Sequence, residues 1–333
     1  MGKLFMSHRH ALKEFCQALR RYDRFLLTCH VHPEGDAIGT VLAMDSLLRR
    51  LGKKTAVVCQ DSFPNRLSCL SSKRWNCLED LPAERRNFDA VVLADCPNTD
   101  RLGEVRNLIK PDMTIFNLDH HVSNSGFGHY NYVVPTASAT GEVLLDLFGY
   151  FRLPVTREEA TNIYVAVSTD TGSFRYGNAS VKTHQVASRL IRTGIDIEKI
   201  NEALYATYSL NKLNLYSRLL GRVRTALNGQ VAWVILRQED LRRSGAIYED
   251  TEGFIDMLRL IREVVVAFVV IELPGGKKVK VSFRSKGSHD VNRLAVRFGG
   301  GGHKKAAACV LEVPAGTAQR RVLEQLAREF PKP

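Results

Sequence analysis

The chain of 333 residues, with 44% apolar side chains, is longer than one typical core requires and predicts two domains. No apolar stretch reaches the about 18 residues of a membrane span, and the N-terminus lacks the apolar core of a signal peptide, so we expect a cytoplasmic protein. The formal charge of +12 favours an anionic partner, whereas seven cysteines without a Cys-x-x-Cys pair argue against a disulfide or zinc framework.

In chain order, residues 24–194 alternate short apolar strands with helical segments. Such alternation predicts a mainly parallel sheet with crossover helices, and we expect a doubly wound α/β domain. Helical spacing over residues 36–51 stops at Gly52, a residue that favours helix ends, and a strand is predicted over residues 55–59.

Two more helices are predicted toward the end of this domain. Thr156 and Glu159 form a capping-box pattern, which opens a helix running toward Asp170. Residues 181–192 have helical spacing and are closed by Gly194.

The second half of the chain begins with a predicted helical connector. Residues 196–220 contain no Gly or Pro and predict one continuous helix. Asn228-Gly229 predicts a hairpin, and Pro274-Gly275-Gly276 separates two further predicted strands, so we expect a smaller mixed α/β domain. The predicted organisation is a first domain over residues 1–195, the connector, and a second domain over residues 221–333.

Acidic and histidine residues follow four apolar runs of the first domain. They are His30, Glu34 and Asp36 after residues 25–29, Asp95 after residues 90–94, Asp119, His120 and His121 after residues 114–118, and Asp170 after residues 163–169. Because loops at the carboxyl ends of parallel strands converge on one crevice, these residues predict a single cluster. The alternative, a set of acidic helix caps and turn residues, explains this placement less well.

Carboxylates and imidazoles together predict a pair of manganese-like ions. Hard ions such as magnesium prefer oxygen ligands, whereas Mn, Fe, Co and Zn also accept imidazole nitrogen. Two such ions about 3.5 to 4 Å apart can share a carboxylate and activate water for in-line attack on phosphorus. No Ser or Cys nucleophile with its own base is visible, so the pattern predicts metal-dependent phosphoester hydrolysis.

A run of four glycines lies near the C-terminus. Gly299 to Gly302 precede His303 and two lysines, and backbone N–H groups in such a run can approach an anion closely. A flexible turn is the alternative explanation. Arg284, after a predicted strand over residues 279–283, can offer a bidentate guanidinium to the same phosphate.

With these residues in view, the chain resembles the DHH phosphoesterase family over almost its whole length. The triplet Asp119-His120-His121 matches the motif that names the family, and residues 30–39 match its first motif. Thr169-Asp170-Thr171-Gly172 matches a later motif, and the glycines before His303 resemble the DHH-associated domain. One departure is Glu34, where the family usually has Asp, so that the carboxylate is kept but reaches further.

The resemblance implies a role for each candidate residue. One metal would be held by His30, Glu34 and Asp95, and the other by Asp36, Asp95, His120 and Asp170, with Asp95 as the bridge. Asp119 and His121 would support the metal ligands or contact phosphate, so the implied catalytic set is Asp36, Asp95, Asp119, His120 and His121. Substrate binding would fall to Arg284, Gly300, Gly301, Gly302 and His303.

Within the family, the length and the glycine-rich second domain resemble the small NrnA-like group of nano-RNases. This implies a manganese-dependent hydrolase that releases 5'-mononucleotides from very short oligoribonucleotides, with 3'-phosphoadenosine 5'-phosphate (pAp) phosphatase activity and an active-site cleft between the two domains. Hydrolysis of cyclic dinucleotides or pApA, hydrolysis of pyrophosphate or polyphosphate, and a non-catalytic RNA-binding role are the alternatives. The sequence leaves the oligomeric state open, a homodimer included.

Overall fold

A computed structural model of the chain describes residues 8–82, 87–206 and 208–330. The chain divides into two compact units, an N-terminal unit that ends at Thr207 and a C-terminal unit that begins at Tyr208. Among the described residues, no helix combines the length and the apolar character that crossing a bilayer would require.

The N-terminal unit is built on a six-stranded parallel sheet. Its strands are β1 (Arg24–Thr28), β2 (Lys54–Cys59), β3 (Trp75–Cys77), β4 (Ala90–Ala94), β5 (Thr114–Asp119) and β6 (Tyr130–Val133). The strand order is β3-β2-β1-β4-β5-β6, and every neighbouring pair runs parallel. This is the order of a doubly wound α/β sheet, so the predicted fold class is confirmed.

The α-helices of the N-terminal unit share one hydrophobic core with a single face of the sheet. They are α1 (His8–Leu19), α2 (Gly35–Arg50), α3 (Thr140–Phe151), α4 (Arg157–Asp170), α5 (Val181–Ile191) and α6 (Ile197–Tyr205). Phe25 and Leu27 lie in this core, whereas Leu26 packs on the other face with a 3-10 segment, Thr99–Leu108. Such alternation is expected of a strand that is buried on both faces.

The predicted helix ends in this unit are largely confirmed. Helix α2 ends at Arg50, two residues before Gly52, whose φ is +79°. Helix α4 has the predicted capping box, in which the Thr156 hydroxyl accepts a hydrogen bond from the Glu159 backbone N–H and the Glu159 carboxylate accepts one from the Thr156 N–H. Because α4 ends at Asp170, this carboxylate stands at a helix C-terminus and not in a loop after a strand.

The C-terminal unit contains a mixed sheet with helices on both faces. Its strands are β7 (Arg224–Ala226), β8 (Val231–Leu236), β9 (Val266–Glu272), β10 (Val279–Ser285), β11 (Gly301–His303) and β12 (Ala306–Leu311). Helices α7 (Leu210–Leu220), α8 (Gln238–Ser244) and α9 (Phe254–Arg259) cover one face, and α10 (Val291–Arg297) and α11 (Ala315–Ala327) cover the other. Only β8 and β9 pair in parallel within the order β11-β12-β10-β9-β8-β7, which confirms the predicted mixed α/β unit.

Both predicted turns of this unit join antiparallel strands. Asn228 and Gly229 connect β7 to β8 and have φ values of +57° and +80°, as a tight hairpin turn requires. Residues 274–276 lie between β9 and β10, which also pair antiparallel.

The continuous helix predicted over residues 196–220 is wrong. Helices α6 and α7 are separate, and Ser209 caps the second by accepting a hydrogen bond of 3.0 Å from the Lys212 backbone N–H. The two helices also belong to different cores, since Ile200 is buried in the N-terminal unit and Leu215 in the C-terminal unit. The absence of Gly and Pro misled the prediction because a side-chain cap alone can begin a new helix.

The last two glycines of the run, Gly301 and Gly302, begin a short strand. In β11 (Gly301–His303), Gly302 lies opposite Ala307 of β12. A Cβ at Gly302, whose φ is +145°, would lie 2.6 Å from the carbonyl oxygen of Ala306, so close strand packing explains this glycine. The side chain of His303 lies outside the described residues, and the substrate contacts expected of this run stay predictions.

Candidate metal centre

The candidate site lies where the strand order of the parallel sheet reverses. From β1 the chain continues to β2 on one side, while β4 occupies the other side of β1. In open α/β sheets such a reversal creates a binding crevice at the carboxyl ends of the strands. His30 follows β1 and Asp95 follows β4, and His30 Nε2 lies 3.5 Å from Asp95 Oδ2. Both side chains are buried.

Asp95 lies at the centre of the site. Its Oδ1 is 3.5 Å from His121 Nδ1 and 3.8 Å from His120 Nε2, and it accepts a hydrogen bond of 2.9 Å from Thr140 Oγ1. Its φ of +59° is unusual for a residue other than glycine, and such strain is often found at functional sites. Burial opposes ionisation, but the hydrogen bond from His30 and the charges of the other imidazoles lower the pKa of Asp95 below its usual range. Asp95 is therefore ionised.

Asp36 is buried against the N-terminus of helix α3. Its oxygens accept hydrogen bonds of 2.7 Å from the Thr140 N–H and 2.9 Å from the Gly141 N–H. Within the described residues, His120 is the one ionisable base within 4.0 Å of this carboxylate. Burial, together with repulsion from Asp95, raises the pKa of Asp36 well above its ordinary value.

Thr140 is a site residue that the sequence analysis missed. It donates its backbone N–H to Asp36 and its hydroxyl to Asp95, so one residue orients two carboxylates. A Thr-Gly pair at the start of an apolar helical segment is an ordinary helix-start pattern. The pair therefore gave no reason to predict that Thr140 also orients two carboxylates.

His120 faces the carboxylates with one ring nitrogen. Its Nδ1 lies 3.2 Å from the carbonyl oxygen of Ala137, which assigns the proton to Nδ1 and directs Nε2 at the site. Nε2 lies 3.6 Å from Asp170 Oδ2 and 3.8 Å from Asp36 Oδ2. Burial raises the pKa of Asp170 to about 6, and the charge of His120 acts in the opposite direction. This orientation suits an imidazole that binds a metal ion.

Asp119 lies behind the site and orients His121. It is fully buried, and its Oδ1 accepts a hydrogen bond of 2.7 Å from His121 Nδ1 while its Oδ2 accepts one of 2.5 Å from Asn124 Nδ2. Burial alone would lower the pKa of His121, but the hydrogen bond to Asp119 and the charge of Asp95 raise it to about 9. Asn124, which also donates to Asn117 Oδ1, is the second residue that sequence reasoning missed, because Asn is common in turns.

Two groups of side chains place their ligand atoms close enough to hold a metal ion. The groups are Asp95 with His120 and His121, and Asp36 with His120 and Asp170, and the atoms of each group lie within 4.8 Å of one another. In the described part of the chain, no Lys or Arg lies within 4.0 Å of these three carboxylates. Carboxylates gathered in a site without a Lys or Arg partner are unfavourable unless a cation binds. The residues present therefore fit a divalent metal ion.

Two of the predicted metal ligands, His30 and Glu34, lie outside both groups. The His30 ring contacts Asp95 through Nε2 and lies 2.8 Å from the carbonyl oxygen of Val31 through Nδ1. Glu34 is an exposed residue at the N-cap of α2 and makes no side-chain hydrogen bond to the helix. A metal site formed by His30, Glu34 and Asp95 therefore stays a prediction.

Arg284, the predicted phosphate ligand, lies on β10 of the C-terminal unit opposite Ala306. Its Nε is 3.7 Å from Asp256 Oδ1, and its Nη1 donates a hydrogen bond of 3.1 Å to the Phe283 carbonyl oxygen. The guanidinium is thus partly anchored by the protein, and its contact with a substrate stays a prediction.

A parallel sheet with carboxylates and imidazoles at its point of reversal, followed by a mixed-sheet unit, defines a two-unit α/β protein with a candidate metal centre. The N-terminal domain of the DHH family matches residues 24–167, and the DHHA1 domain matches residues 227–330. Together the two matches cover most of the chain. The chain belongs to the DHH family, and the resemblance inferred from its motifs is confirmed.

Three known proteins show what the chain is similar to. The bifunctional oligoribonuclease and PAP phosphatase NrnA of Thermus thermophilus is 29% identical over 305 residues, which cover 91% of this chain and 89% of that protein. The crystal structure of an exopolyphosphatase-related protein from Bacteroides fragilis has a TM-score of 0.90 at 25% identity and covers 100% of both chains. RecJ of Thermus thermophilus in complex with Mn²⁺ has a TM-score of 0.56 at 15% identity, covers 100% of this chain and 56% of its own, and shows a shared fold alone.

Proposed function

We propose that the protein is a metal-dependent phosphoesterase that degrades very short oligoribonucleotides to 5'-mononucleotides and converts pAp to AMP. The observation that carries this proposal is the cluster of Asp36, Asp95 and His120 at the point of sheet reversal, where two buried carboxylates have no Lys or Arg partner in the described residues. The similarity to Thermus thermophilus NrnA over 91% of the chain supports the choice of substrate. A cytoplasmic location, where short RNA fragments arise, is part of the proposal.

The cofactor in this proposal is a pair of divalent metal ions, with Mn²⁺ as the first choice. When bound, the ions would supply polarisation of the phosphate and activation of water at neutral pH. Asp36, His120 and Asp170 would hold one ion, and Asp95 would connect it to a second ion held with His30 and Glu34. A mixed set of imidazole and carboxylate ligands favours Mn²⁺ over Mg²⁺.

The remaining polar residues of the site orient these ligands and supply a proton. Thr140 fixes Asp36 and Asp95 through hydrogen bonds of 2.7 and 2.9 Å. Asp119 holds the His121 ring through a hydrogen bond of 2.7 Å to Nδ1. In its protonated form, His121 would donate a proton to the leaving oxygen as the bond from that oxygen to phosphorus breaks and a water oxygen replaces it. The products are a 5'-phosphate and a 3'-hydroxyl from RNA, and inorganic phosphate and AMP from pAp.

The C-terminal unit would add selectivity for short substrates. Arg284 offers a guanidinium that can bind a phosphate remote from the bond that is cleaved. Binding energy from a phosphate that does not react can position the one that does, which favours substrates with a nearby terminal phosphate.

A substrate panel tests the proposal. Purified protein with Mn²⁺ would be offered end-labelled RNAs from dinucleotides to long oligomers, together with pAp, pApA, cyclic di-AMP, pyrophosphate and polyphosphate. We expect the fastest turnover with the shortest RNAs, 5'-mononucleotides as products, and AMP from pAp. Polyphosphate belongs in the panel because the similar Bacteroides fragilis protein is described as exopolyphosphatase-related.

Each of the other outcomes selects a different function. Preferred hydrolysis of polyphosphate or of cyclic di-AMP would replace the proposed substrate but keep the chemistry. RNA binding without turnover, in protein that binds Mn²⁺ by calorimetry, would leave the non-catalytic alternative. Removal of metal by EDTA should abolish activity, and added Mn²⁺ should restore it.

A further inference from the structure

Arg101 is a basic residue at the candidate metal centre to which the proposed mechanism gives no role. Its Nη2 lies 3.5 Å from His30 Nδ1, and its carbonyl oxygen accepts a hydrogen bond of 2.7 Å from the Val31 N–H. Because His30 Nδ1 already lies 2.8 Å from the Val31 carbonyl oxygen, the ring has a hydrogen-bond acceptor without the arginine. The guanidinium therefore contacts His30, but the hydrogen bond of the His30 ring to Val31 does not require the guanidinium.

The backbone that carries Arg101 is fixed by neighbouring strands. The 3-10 segment Thr99–Leu108 is bonded to the end of β1 through Val31, and the Glu104 N–H donates a hydrogen bond of 2.8 Å to Gln60 Oε1 just after β2. The backbone at Arg101 is therefore held in place before any ligand binds.

The positive charge of Arg101 has no carboxylate partner in the described residues. No carboxylate oxygen lies within 4.0 Å of its guanidinium, although Asp95 is close in the sequence. A guanidinium stays charged at neutral pH, and a lasting positive charge beside a cation site is unfavourable unless an anion binds there.

We propose that Arg101 binds a non-bridging oxygen of the phosphate that is cleaved and stabilises the negative charge on the phosphate oxygens in the transition state. This inference deepens the proposed function and rests on it. It differs from the role expected of Arg284, which would bind a phosphate that is not cleaved. Loss of Arg101 should therefore impair every phosphodiester substrate, including small ones with no second phosphate.

Three variants of the full-length protein test this role. Arg101→Ala removes the guanidinium, Arg101→Lys keeps the charge but loses the planar donor pair, and Arg106→Ala removes an exposed arginine of the same segment as a matched control. With saturating Mn²⁺, Arg101→Ala should lower kcat/KM about a hundredfold for both pApA and bis-p-nitrophenyl phosphate. Arg101→Lys should lose less, and Arg106→Ala should stay within about twofold of wild type. Added guanidine should restore part of the activity of Arg101→Ala.

Two binding measurements separate this role from a structural one. Calorimetry with Mn²⁺ alone should give the same affinity for wild type and Arg101→Ala. Calorimetry with inorganic phosphate, added to Mn²⁺-loaded protein, should show binding weakened by about tenfold or more in Arg101→Ala, and no change in Arg106→Ala. Neither measurement requires turnover.

Several results would overturn the inference. A parallel loss of Mn²⁺ affinity would mean that Arg101 acts through His30, and unchanged hydrolysis of bis-p-nitrophenyl phosphate would mean that it binds a remote group. If wild type does not bind phosphate, or if wild type and Arg101→Ala bind it equally, the proposed contact between Arg101 and phosphate would be wrong. If wild type hydrolyses no substrate of the panel, the proposed function fails, and the phosphate measurement still decides whether Arg101 recognises phosphate.

Discussion

Asp36 in the N-terminal unit and Asp240 in the C-terminal unit are buried to the same degree, with 3% of each residue exposed. Asp240 accepts a hydrogen bond of 2.6 Å from Arg222 Nη2 and one of 2.8 Å from the Arg237 N–H. Asp36 instead receives backbone and hydroxyl donors, and its nearest ionisable base in the described residues is His120 Nε2 at 3.8 Å. The protein supplies the counter-charge of Asp240, whereas in the proposed metal centre a bound cation would supply that of Asp36.

This comparison shows that burial alone does not distinguish a carboxylate paired with arginine from a candidate metal ligand. The distinguishing feature is the partner, because a carboxylate paired with arginine is already neutralised. Both groups that could hold a metal ion among the described residues lie in the N-terminal unit. Substitutions in the two units can therefore be compared. We expect the loss of Asp36 to affect activity and the loss of Asp240 to affect stability.

The largest effect should follow from removing charge at the metal centre. Asp36→Asn and Asp95→Asn should each lower kcat/KM by several orders of magnitude, because each removes ligand charge. The raised pKa of Asp36 means that folding disfavours its charged form at neutral pH, so metal-free Asp36→Asn should be at least as stable as wild type. Activity above about a tenth of wild type in Mn²⁺-replete buffer, by either variant, would defeat the ligand assignment.

Asp240→Asn should show the opposite pattern and so completes the comparison. The substitution leaves Arg222 without its carboxylate partner and weakens the start of α8, which should cost about 1 to 3 kcal/mol of unfolding free energy. Urea unfolding would measure this loss, and kcat/KM below the unfolding transition should stay near wild type. A large loss of activity with no loss of stability would mean that the two carboxylates do not differ as argued.

A smaller and selective effect is expected within the C-terminal unit. Arg284→Ala should lower kcat/KM for dinucleotides about ten- to a hundredfold by removing a charge-assisted contact to the remote phosphate. Hydrolysis of bis-p-nitrophenyl phosphate, which lacks that phosphate, should change little. Lys280→Ala, on the same face of β10, is the matched control for loss of a positive charge. Equal losses on both substrates would mean that Arg284 supports the fold.

The sequence predicted the N-terminal sheet and its polar cluster because strands buried on both faces are continuous apolar runs, and residues directly after them mark one edge of the sheet. Thr140 was missed because its partner Asp95 is 45 residues away, whereas its place before a helix has a local explanation. The sequence did not predict that Gly301 and Gly302 begin a strand, because composition cannot tell a loop from a closely packed strand. That distinction depends on the opposing Ala307, which only the pairing of β11 with β12 reveals.

Metal binding should protect one unit and not the other. Some amides in the loops after β1, β4 and β5 should exchange only after the metal has been released. With Mn²⁺ at ten times its dissociation constant, exchange of these amides should slow about tenfold. Exchange in β8, β9 and β10 should be unchanged. Hydrogen exchange of the full chain, with Asp95→Asn as the control, measures both at once. Unchanged exchange in the N-terminal loops would argue against the site, and equal protection of both units would show that metal binding couples them.

The smallest effect should come from Glu34→Asp, which tests the half of the proposed metal centre that includes Glu34. Glu34 makes no side-chain hydrogen bond to the start of α2, so shortening it removes no such bond and restores the usual family residue. With a carboxylate still present, kcat/KM at saturating Mn²⁺ should stay near wild type, while the Mn²⁺ and Mg²⁺ concentrations that give half-maximal activity should shift, because the ligand reaches less far. Titration of the activity with each metal measures these shifts.

An inactive variant would mean that the loop requires Glu at this position, and an unchanged titration would remove Glu34 from the ligand set. Either result would leave the buried group around Asp36 intact, because that group does not include Glu34.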